Sequence, residues 1–170
     1  MRNIRRIVKI HKIEGYKIYC LFNNGESRVV DFEKLFKIWN VKPGDIEYKL
    51  KDSQQEFEKV ELVYGTFTWK NLQMESTDEQ DAPVSYAYDV DPIMMYEGSE
   101  EDPSRKLELG MMIKQARKEM GLTQEELAEK SGTTKHYISK IENNKSGIEL
   151  STLLKIIEGG LGKRLEMKIV

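Results

Sequence analysis

The sequence predicts two small domains: an α+β domain built from a small sheet with one helix, followed by an all-α domain that ends in a β-strand. Three observations lead to this prediction. The first part of the chain is rich in short runs of β-branched and aromatic residues. The last third carries apolar residues at helical spacing. An acidic stretch separates the two patterns, so we place the domains at 1–97 and 107–170, with an acidic linker at 98–106.

The two parts of the chain differ in the sign of their charge, although the net charge of the whole is only −2. Residues 1–104 hold 14 Lys and Arg against 20 Asp and Glu, a net charge of −6, whereas residues 105–170 hold 13 against 9, a net charge of +4. Between Lys70 and Arg105 there is no basic residue, but there are ten acidic ones. A like-charged run that also contains Gly, Pro and Ser is typical of a solvated linker.

The N-terminal domain is predicted from runs with strand character. They are IRRIVKIHKI, YKIYCLF, SRVVDF, FEKVELVY and TFTW, all within residues 4–69. Asn24-Gly25, between the second and third runs, predicts a hairpin with a type I′ turn, since that turn needs φ > 0 at both central positions. Apolar residues at helical spacing predict one helix over residues 32–39.

No catalytic or metal site is apparent in this domain, and we do not expect an enzyme. Asp89 and Asp91 lie two apart in a stretch with Pro, where such residues more often form turns than bind a hard cation. With two His, one Cys and no recognisable triad, the sequence predicts neither a metal nor a cofactor. The stretch from FNNGESRVVDFEKLF through TFTW to DVDPIMMY resembles a small bacterial α+β family of uncharacterised function, also found fused ahead of DNA-binding domains. That resemblance implies no mechanism.

Several features predict a cytoplasmic protein. No window approaches the roughly 18 apolar residues that a membrane span needs. The basic N-terminus lacks the unbroken apolar core, about 7 residues or more, of a signal peptide. The lone Cys20 excludes an internal disulfide, which fits a reducing compartment. We therefore expect no membrane partner.

The C-terminal domain begins with two predicted helices. The first carries one apolar stripe at spacing i, i+4, i+7 and i+11, formed by Leu109, Ile113, Ala116 and Met120. Gly121 follows, where a helix C-cap is expected. Thr123 and Glu126 then have the spacing of a capping box, which predicts that the second helix begins at residue 124.

A third helix follows after a tight turn. The second helix can extend only to about residue 130, because Ser131-Gly132 supplies a turn and Thr134 can cap the next helix. Two short helices joined in this way form a helix-turn-helix. In the third helix, residues 134–143, the two isoleucines share one face, and donors occupy the opposite face and its flank: Lys135, His136, Ser139, Lys140 and Asn143. Such a face suits the DNA major groove, although an ordinary polar outer face has the same periodicity.

These motifs resemble the Cro/lambda-repressor-type (Xre) helix-turn-helix family. The resemblance lies in LTQEELAEKSGTTKHYISKIEN, residues 122–143, preceded by IKQAR at 113–117 and followed by LSTLLKI at 150–156. It implies a lambda-repressor-like fold of five helices, in which the third is the recognition helix. Asn144 stands where this family usually has Gly, and Asn tolerates φ > 0 better than most residues.

The resemblance also implies roles for individual residues. Gln124 would hold a phosphate from the N-terminus of the second helix, where free N–H groups favour an anion. Arg117 and Glu142 would form a structural ion pair that fixes the angle of the recognition helix. The remaining residues expected to contact bases or backbone are Thr134, Lys135, His136, Ser139, Lys140, Asn143 and Lys145.

The last ten residues, LGKRLEMKIV, alternate apolar and charged side chains and predict a strand. A lone strand is not stable, so it must pair with the N-terminal sheet or with the same strand of a second chain. We favour the second chain. Helix-turn-helix proteins of this type usually bind as dimers, with half-sites about 34 Å apart or a multiple of it.

We therefore expect a sequence-specific DNA-binding transcriptional regulator, a dimeric repressor that reads the major groove of double-stranded DNA with residues 134–143. The alternative is an antitoxin-type protein-interaction module that neutralises a toxin partner and regulates its own operon. It rests on the ending GLGKRLEMKI, which resembles that of HigA-like antitoxins, and on the acidic linker, which looks cleavable.

Overall fold

The computed structural model describes residues 4–105, 108–145 and 147–168. The chain divides into two compact units, Met1–Lys106 and Leu107–Val170. Each unit has a hydrophobic core of its own. Within the described residues, no helix combines the length and the apolar character that crossing a membrane requires.

The described part of the first unit contains two antiparallel sheets, where the sequence predicts one. The first sheet has the strand order β1 (Ile7–Glu14), β2 (Lys17–Phe22), β3 (Ser27–Asp31) and β7 (Glu100–Glu101). The second has the order β4 (Glu61–Val63), β5 (Thr66–Thr77) and β6 (Pro83–Asp89). The second sheet arises because the strand that starts at TFTW continues to Thr77 and the chain returns beside it as β6.

Four helices lie in the described part of the first unit, where the sequence predicts one: α1 (Phe32–Ile38), α2 (Tyr48–Asp52), α3 (Gln54–Phe57) and α4 (Pro92–Glu97). Helix α1 matches the prediction closely, and its N-cap Asp31 accepts from the amide of Lys34. Helices α2 and α3 have five and four residues, too few to show an apolar period. Asp91 caps α4 by accepting from the amide of Ile93 at 2.7 Å, in keeping with its predicted role as a turn former.

The predicted hairpin at Asn24-Gly25 is present, but its turn is not of type I′. Gly25 has a φ of +85°, whereas Asn24 is not among the residues with positive φ. The amide of Gly25 donates to the carbonyl of Phe22, and the amide of Phe22 donates to that of Glu26, both at 2.9 Å. The side chain of Asn24 accepts from the amide of Glu26 at 3.2 Å. This side-chain bond stabilises a longer loop that needs only one residue in the left-handed region.

Aromatic side chains fill the core between the sheets and α1. The ring of Phe32 lies 5.0 Å from that of Phe57 and 5.5 Å from that of Trp69, measured between centroids. The indole N–H of Trp69 donates to the carbonyl of Phe57 at 2.7 Å, so its polar atom is satisfied inside the core. The same aromatic cluster supports the C-terminal end of α1, where Trp39 packs edge-on against Phe32.

Residues 98–104 belong to the first unit and are not the solvated linker that the sequence predicts. Glu100–Glu101 form β7 and pair with β3. Asp102 is only 1% exposed, and its amide donates to the carbonyl of Ser27 at 2.9 Å. Its carboxylate accepts from the amide and hydroxyl of Ser104 at 2.9 and 2.6 Å. The acidic composition of this segment predicts solvent exposure, but composition does not predict the backbone hydrogen bonds that strand β3 makes with it.

The second unit is helical: α5 (Leu109–Glu119), α6 (Gln124–Ser131), α7 (Lys135–Glu142) and α8 (Leu150–Leu154), which continues without a break as a π-helical segment, Lys155–Gly160. The five helices implied by the resemblance are therefore four helical runs among residues 108–145 and 147–168. Leu154 and Lys155 are consecutive, and neither is a capping or turn residue, so no sequence signal ends the helix there.

The predicted C-terminal strand is not formed in the described residues. Residues 162–168 have no regular secondary structure, and Ile169 and Val170 lie outside the described residues. Leu165 packs against the core of the second unit, whereas Met167 is 70% exposed. No strand of the described residues pairs with this segment, and a strand needs a ladder partner to form.

Candidate nucleic-acid interface

Helix α6 begins with the predicted capping box. The hydroxyl of Thr123 accepts from the amide of Glu126 at 3.1 Å, and the carboxylate of Glu126 accepts from the amide of Thr123 at 2.7 Å. These two bonds leave the amides of Gln124 and Glu125 as the free donors of the first turn, because no carbonyl of the same helix lies four residues before them. Two free N–H groups at a helix N-terminus favour an anion such as a phosphate.

The turn between α6 and α7 is fixed by several short-range bonds. Gly132 has a φ of +63° at the C-cap of α6, a conformation that favours glycine. The amide of Thr133 donates to the carbonyl of Ala128 at 2.8 Å. Buried Ser131 donates to the carbonyl of Leu127 at 2.6 Å and lies 3.0 Å from the hydroxyl of Thr133. These bonds fix the direction in which α7 leaves the turn relative to α6.

Helix α7 presents two contrasting faces. Its N-cap is Thr134, whose hydroxyl accepts from the amide of Tyr137 at 3.2 Å. Ile138 and Ile141 are buried in the core of the second unit. The exposed or half-exposed side chains on the other side are Lys135, His136, Ser139 and Lys140, with Asn143 at the C-cap. This division follows the helical projection of the sequence.

Arg117 and Glu142 lie in direct contact inside the second unit. The guanidinium of Arg117 donates from Nε to Oε1 of Glu142 at 2.6 Å and from Nη2 to Oε2 at 2.9 Å. Its third nitrogen, Nη1, donates to the carbonyl of Leu122 at 2.7 Å. One side chain of α5 therefore holds both the end of α7 and the segment that leads into α6. A bidentate contact of this kind fixes orientation as well as distance.

Gln124, which is expected to hold a phosphate, is tied to the same carboxylate. Its Nε2 donates to Oε2 of Glu142 at 2.8 Å. One hydrogen of that amide group and its oxygen remain available, since the side chain is half-exposed. Glu142 therefore connects α5, α6 and α7, and it orients Gln124 beside the free amides at the start of α6.

The protonation state of Glu142 follows from this network. Burial by itself raises the pKa of its carboxyl group. The hydrogen bonds from Arg117 and Gln124, together with the positive charges of Arg117 and Lys114, outweigh that effect, so the pKa is lowered. The side chain of Glu142 is completely buried, and it remains a carboxylate that accepts from both partners.

Lys135, the first residue of α7, carries an unpredicted partner. Its Nζ lies 2.9 Å from Oε2 of Glu125 on α6, and both side chains are largely exposed. An acidic side chain thus stands beside the predicted DNA-binding face. The sequence gives no direct signal for this pair, because the two residues belong to different helices and meet only when the turn closes.

The other predicted contact residues are exposed, except Ser139, which is half-exposed. Asn143 donates from Nδ2 to the carbonyl of Ser139 at 2.7 Å, which satisfies part of its amide group. The side chains of His136, Lys140 and Lys145 make no hydrogen bond or ion pair with the described residues. Asn144 has a φ of +54°, the conformation for which Asn is a tolerated substitute for Gly. Among the described residues, no group of three or more His, Cys, Asp and Glu could hold a metal ion.

Gly110 is a structural residue that the sequence did not reveal. A Cβ at this position of α5 would lie 2.1 Å from the carbonyl oxygen of Ile141 and 2.6 Å from the side-chain oxygen of Asn144. Only glycine lets α5 approach the end of α7 so closely. Its position within a helix, where glycine is unfavourable, is the signal that could have pointed to a close approach.

Comparisons with known proteins show a family and similar solved structures for the C-terminal part of the chain. Residues 113–159 match a family described as helix-turn-helix (HTH_3). Among solved structures, the chain is similar to the wild-type restriction-modification controller protein C.Esp1396I, with 38% identity over 34% of this chain and 74% of that chain, at a TM-score of 0.32. One single-residue mutant of that protein gives 37% identity over 34% and 73% of the two chains, also at 0.32. No curated protein matches the chain.

Proposed function

Residues 113–159 belong to the helix-turn-helix family, and we propose from this premise that the protein is a dimeric repressor that reads a specific DNA sequence with α7. The helix-turn-helix domain makes the chain a DNA-binding transcriptional regulator. The finer parts of the proposal are the dimer, the repression and the individual contacts. In it, Lys135, His136, Ser139 and Lys140 face base edges or the adjoining backbone, while Gln124, Asn143 and Lys145 approach phosphates.

The observation that carries this proposal is the position of Glu142. It is the last residue of α7, and its carboxylate connects this helix to Arg117 of α5 and to Gln124 of α6. A phosphate bound by Gln124 and the free amides of α6 would therefore be set at a fixed distance from the exposed face of α7. Specific readout needs this fixed relation, since phosphate contacts set the register in which side chains meet the bases.

The C-terminal segment supports a dimer. Residues 162–168 alternate in sequence like a strand but have no ladder partner among the described residues. In an antiparallel pair with a second copy, centred on Leu165, Arg164 of each copy would stand opposite Glu166 of the other. Opposite charges placed directly across two strands are favourable, and the pairing would supply ladder partners for the backbone of this segment.

Fluorescence-anisotropy titration tests DNA recognition. The full chain is titrated with DNA from immediately upstream of its own gene and with scrambled DNA, each at two salt concentrations. We expect preference for the native sequence by about 1,000-fold or more. Equal, weak and steeply salt-dependent binding to both DNAs would mean that residues 105–170, with their net charge of +4, attract DNA only nonspecifically. That result would contradict the proposal.

The antitoxin alternative has less support than the sequence suggested. One of its two arguments was a cleavable acidic linker, but residues 98–104 are folded into the first unit. Its other argument, the ending GLGKRLEMKI, applies equally to a dimer strand. Co-purification of an untagged protein encoded beside this gene, in a stable complex with the full chain, would favour the alternative.

A further inference from the structure

A cleft in the first unit has the size and walls of a small-molecule site. It lies where the end of α1, the loop before α2, the end of β6 and the start of α4 meet, and its volume is about 350 Å³. Pockets for small ligands have volumes of roughly 300–1,000 Å³. The residues that line it include Trp39, Glu47, Tyr88, Asp89, Asp91 and Met94.

The aromatic walls of the cleft are held from behind. The indole ring of Trp39 packs edge-on against Phe32, at 6.3 Å between centroids, and against Phe36, at 6.4 Å. The ring of Tyr88 lies 5.9 Å from that of Trp69, which is fully buried. Both walls are therefore fixed by the core. Met94, half exposed, adds a polarisable thioether at the rim.

Three carboxylates face this cleft without a cation. No described Lys, Arg or His forms an ion pair with Glu47, Asp89 or Asp91. Glu47 accepts from the hydroxyl of Tyr88 at 3.0 Å. Burial and the charge of Glu47 raise the pKa of Tyr88, so its hydroxyl stays protonated and continues to donate. Asp91 uses one oxygen to cap α4, and Asp89 is exposed.

We propose that this cleft binds a small organic polyamine. Aromatic faces attract ammonium groups through their quadrupole, and carboxylates attract them through charge and hydrogen bonds. A chain with several ammonium groups, separated by methylenes, would contact the carboxylates while its apolar part lies against Trp39 and Met94. A bare metal ion would use the carboxylates but gain nothing from the aromatic walls. This site does not depend on the DNA-binding proposal, because every residue in it belongs to the first unit.

Isothermal titration calorimetry of the full chain with spermidine tests the proposal. We expect saturable one-to-one binding that 1 mM Mg²⁺ does not abolish. Asp89→Asn keeps the shape of the side chain and should weaken binding about 5-fold by removing one charge. Trp39→Leu should also weaken binding about 5-fold by removing the aromatic face. Both variants are first compared with the wild type by circular dichroism.

Glu75→Gln is the matched control, because Glu75 is an exposed acid on β5 and does not line the cleft. It removes the same charge from the same acidic unit and should leave spermidine affinity unchanged within about 2-fold. The absence of saturable binding would overturn the proposal. Equal weakening by Glu75→Gln and Asp89→Asn would also overturn it, and so would complete displacement of spermidine by Mg²⁺. Either result would mean that the acidic unit attracts any cation and that the cleft is not a specific site.

Discussion

Arg117 and Glu142, 25 residues apart in sequence, make two hydrogen bonds to each other at 2.6 and 2.9 Å, and this contact sets α7 against α5. Gln124 shares the same carboxylate. A single buried group therefore couples the residue expected to hold a phosphate to the helix expected to read bases. The stability of the second unit and its DNA recognition should both respond when this contact is changed.

Arg117→Met should lower the free energy of unfolding of the second unit by about 3 kcal/mol, because it leaves the buried Glu142 carboxylate without its cation. Urea unfolding followed by circular dichroism measures this change. Both tryptophans, Trp39 and Trp69, lie in the first unit, so their fluorescence reports that unit separately and should not change.

The double variant Arg117→Met with Glu142→Met is the control for this prediction. It removes both buried charges, so it should recover most of the stability that the single variant loses. If the double variant were as unstable as the single one, the loss would come from packing of the Arg117 side chain and not from the ion pair.

Acid should destabilise the second unit through Glu142. Its folded pKa is lowered, so its contribution to stability is complete above the unfolded value of about 4.3 and is lost as the pH falls through the folded pKa. Urea unfolding between pH 7 and pH 3 should show this loss. In Glu142→Gln the dependence should become shallower over that range, and an unchanged slope would assign the acid sensitivity to other carboxylates.

Glu125→Gln should strengthen DNA binding. The change removes a negative charge from the predicted interface and releases Lys135, now 2.9 Å from the carboxylate, to contact DNA. Anisotropy titration at low salt should show affinity about 5-fold higher, with less effect at high salt. Glu158→Gln, an exposed acid outside α6 and α7, should have a smaller effect. Weaker binding by Glu125→Gln would mean that Glu125 itself reads a base.

Base-reading and phosphate-holding residues should separate by mutation. Lys135→Ala combined with His136→Ala should reduce discrimination between native and scrambled DNA by about 10-fold or more, since each good base contact contributes about 1–3 kcal/mol. Gln124→Ala should weaken binding to both DNAs by a similar factor. Anisotropy titration of the variants against both DNAs measures the difference. If neither change alters specific binding, α7 is not the recognition helix.

The proposed pairing of two C-terminal segments can be tested by charge exchange. Arg164→Glu would place like charges opposite each other twice in the symmetric dimer and should raise its dissociation constant at least about 5-fold. Arg164→Glu combined with Glu166→Arg restores opposite charges and should restore association. Sedimentation velocity measures both. A dimer indifferent to the single change would have another interface.

Local signals in the sequence were reliable where a few neighbouring residues decide the conformation. The capping box at Thr123 and Glu126, the N-cap Thr134 and the positive φ of Asn144 all appear as predicted. The hairpin at Asn24-Gly25 is also present, but the predicted turn type was wrong, because the side chain of Asn24 accepts a hydrogen bond from the amide of Glu26 and so favours a longer loop. Charge composition was a poorer guide, since the acidic residues 100–101 pair with β3.

The sequence by itself determined the helix-turn-helix and the division of α7 into a buried and an exposed face, because periodicity and capping act within a few residues. The ion pair of Arg117 and Glu142 came from family resemblance, not from periodicity. Only the tertiary structure decided that Glu142 also holds Gln124, that Glu125 stands beside Lys135, and that Trp39, Glu47 and Asp89 share a cleft. These relations depend on distances between residues far apart in the chain, which packing of complete elements sets and local sequence patterns do not record.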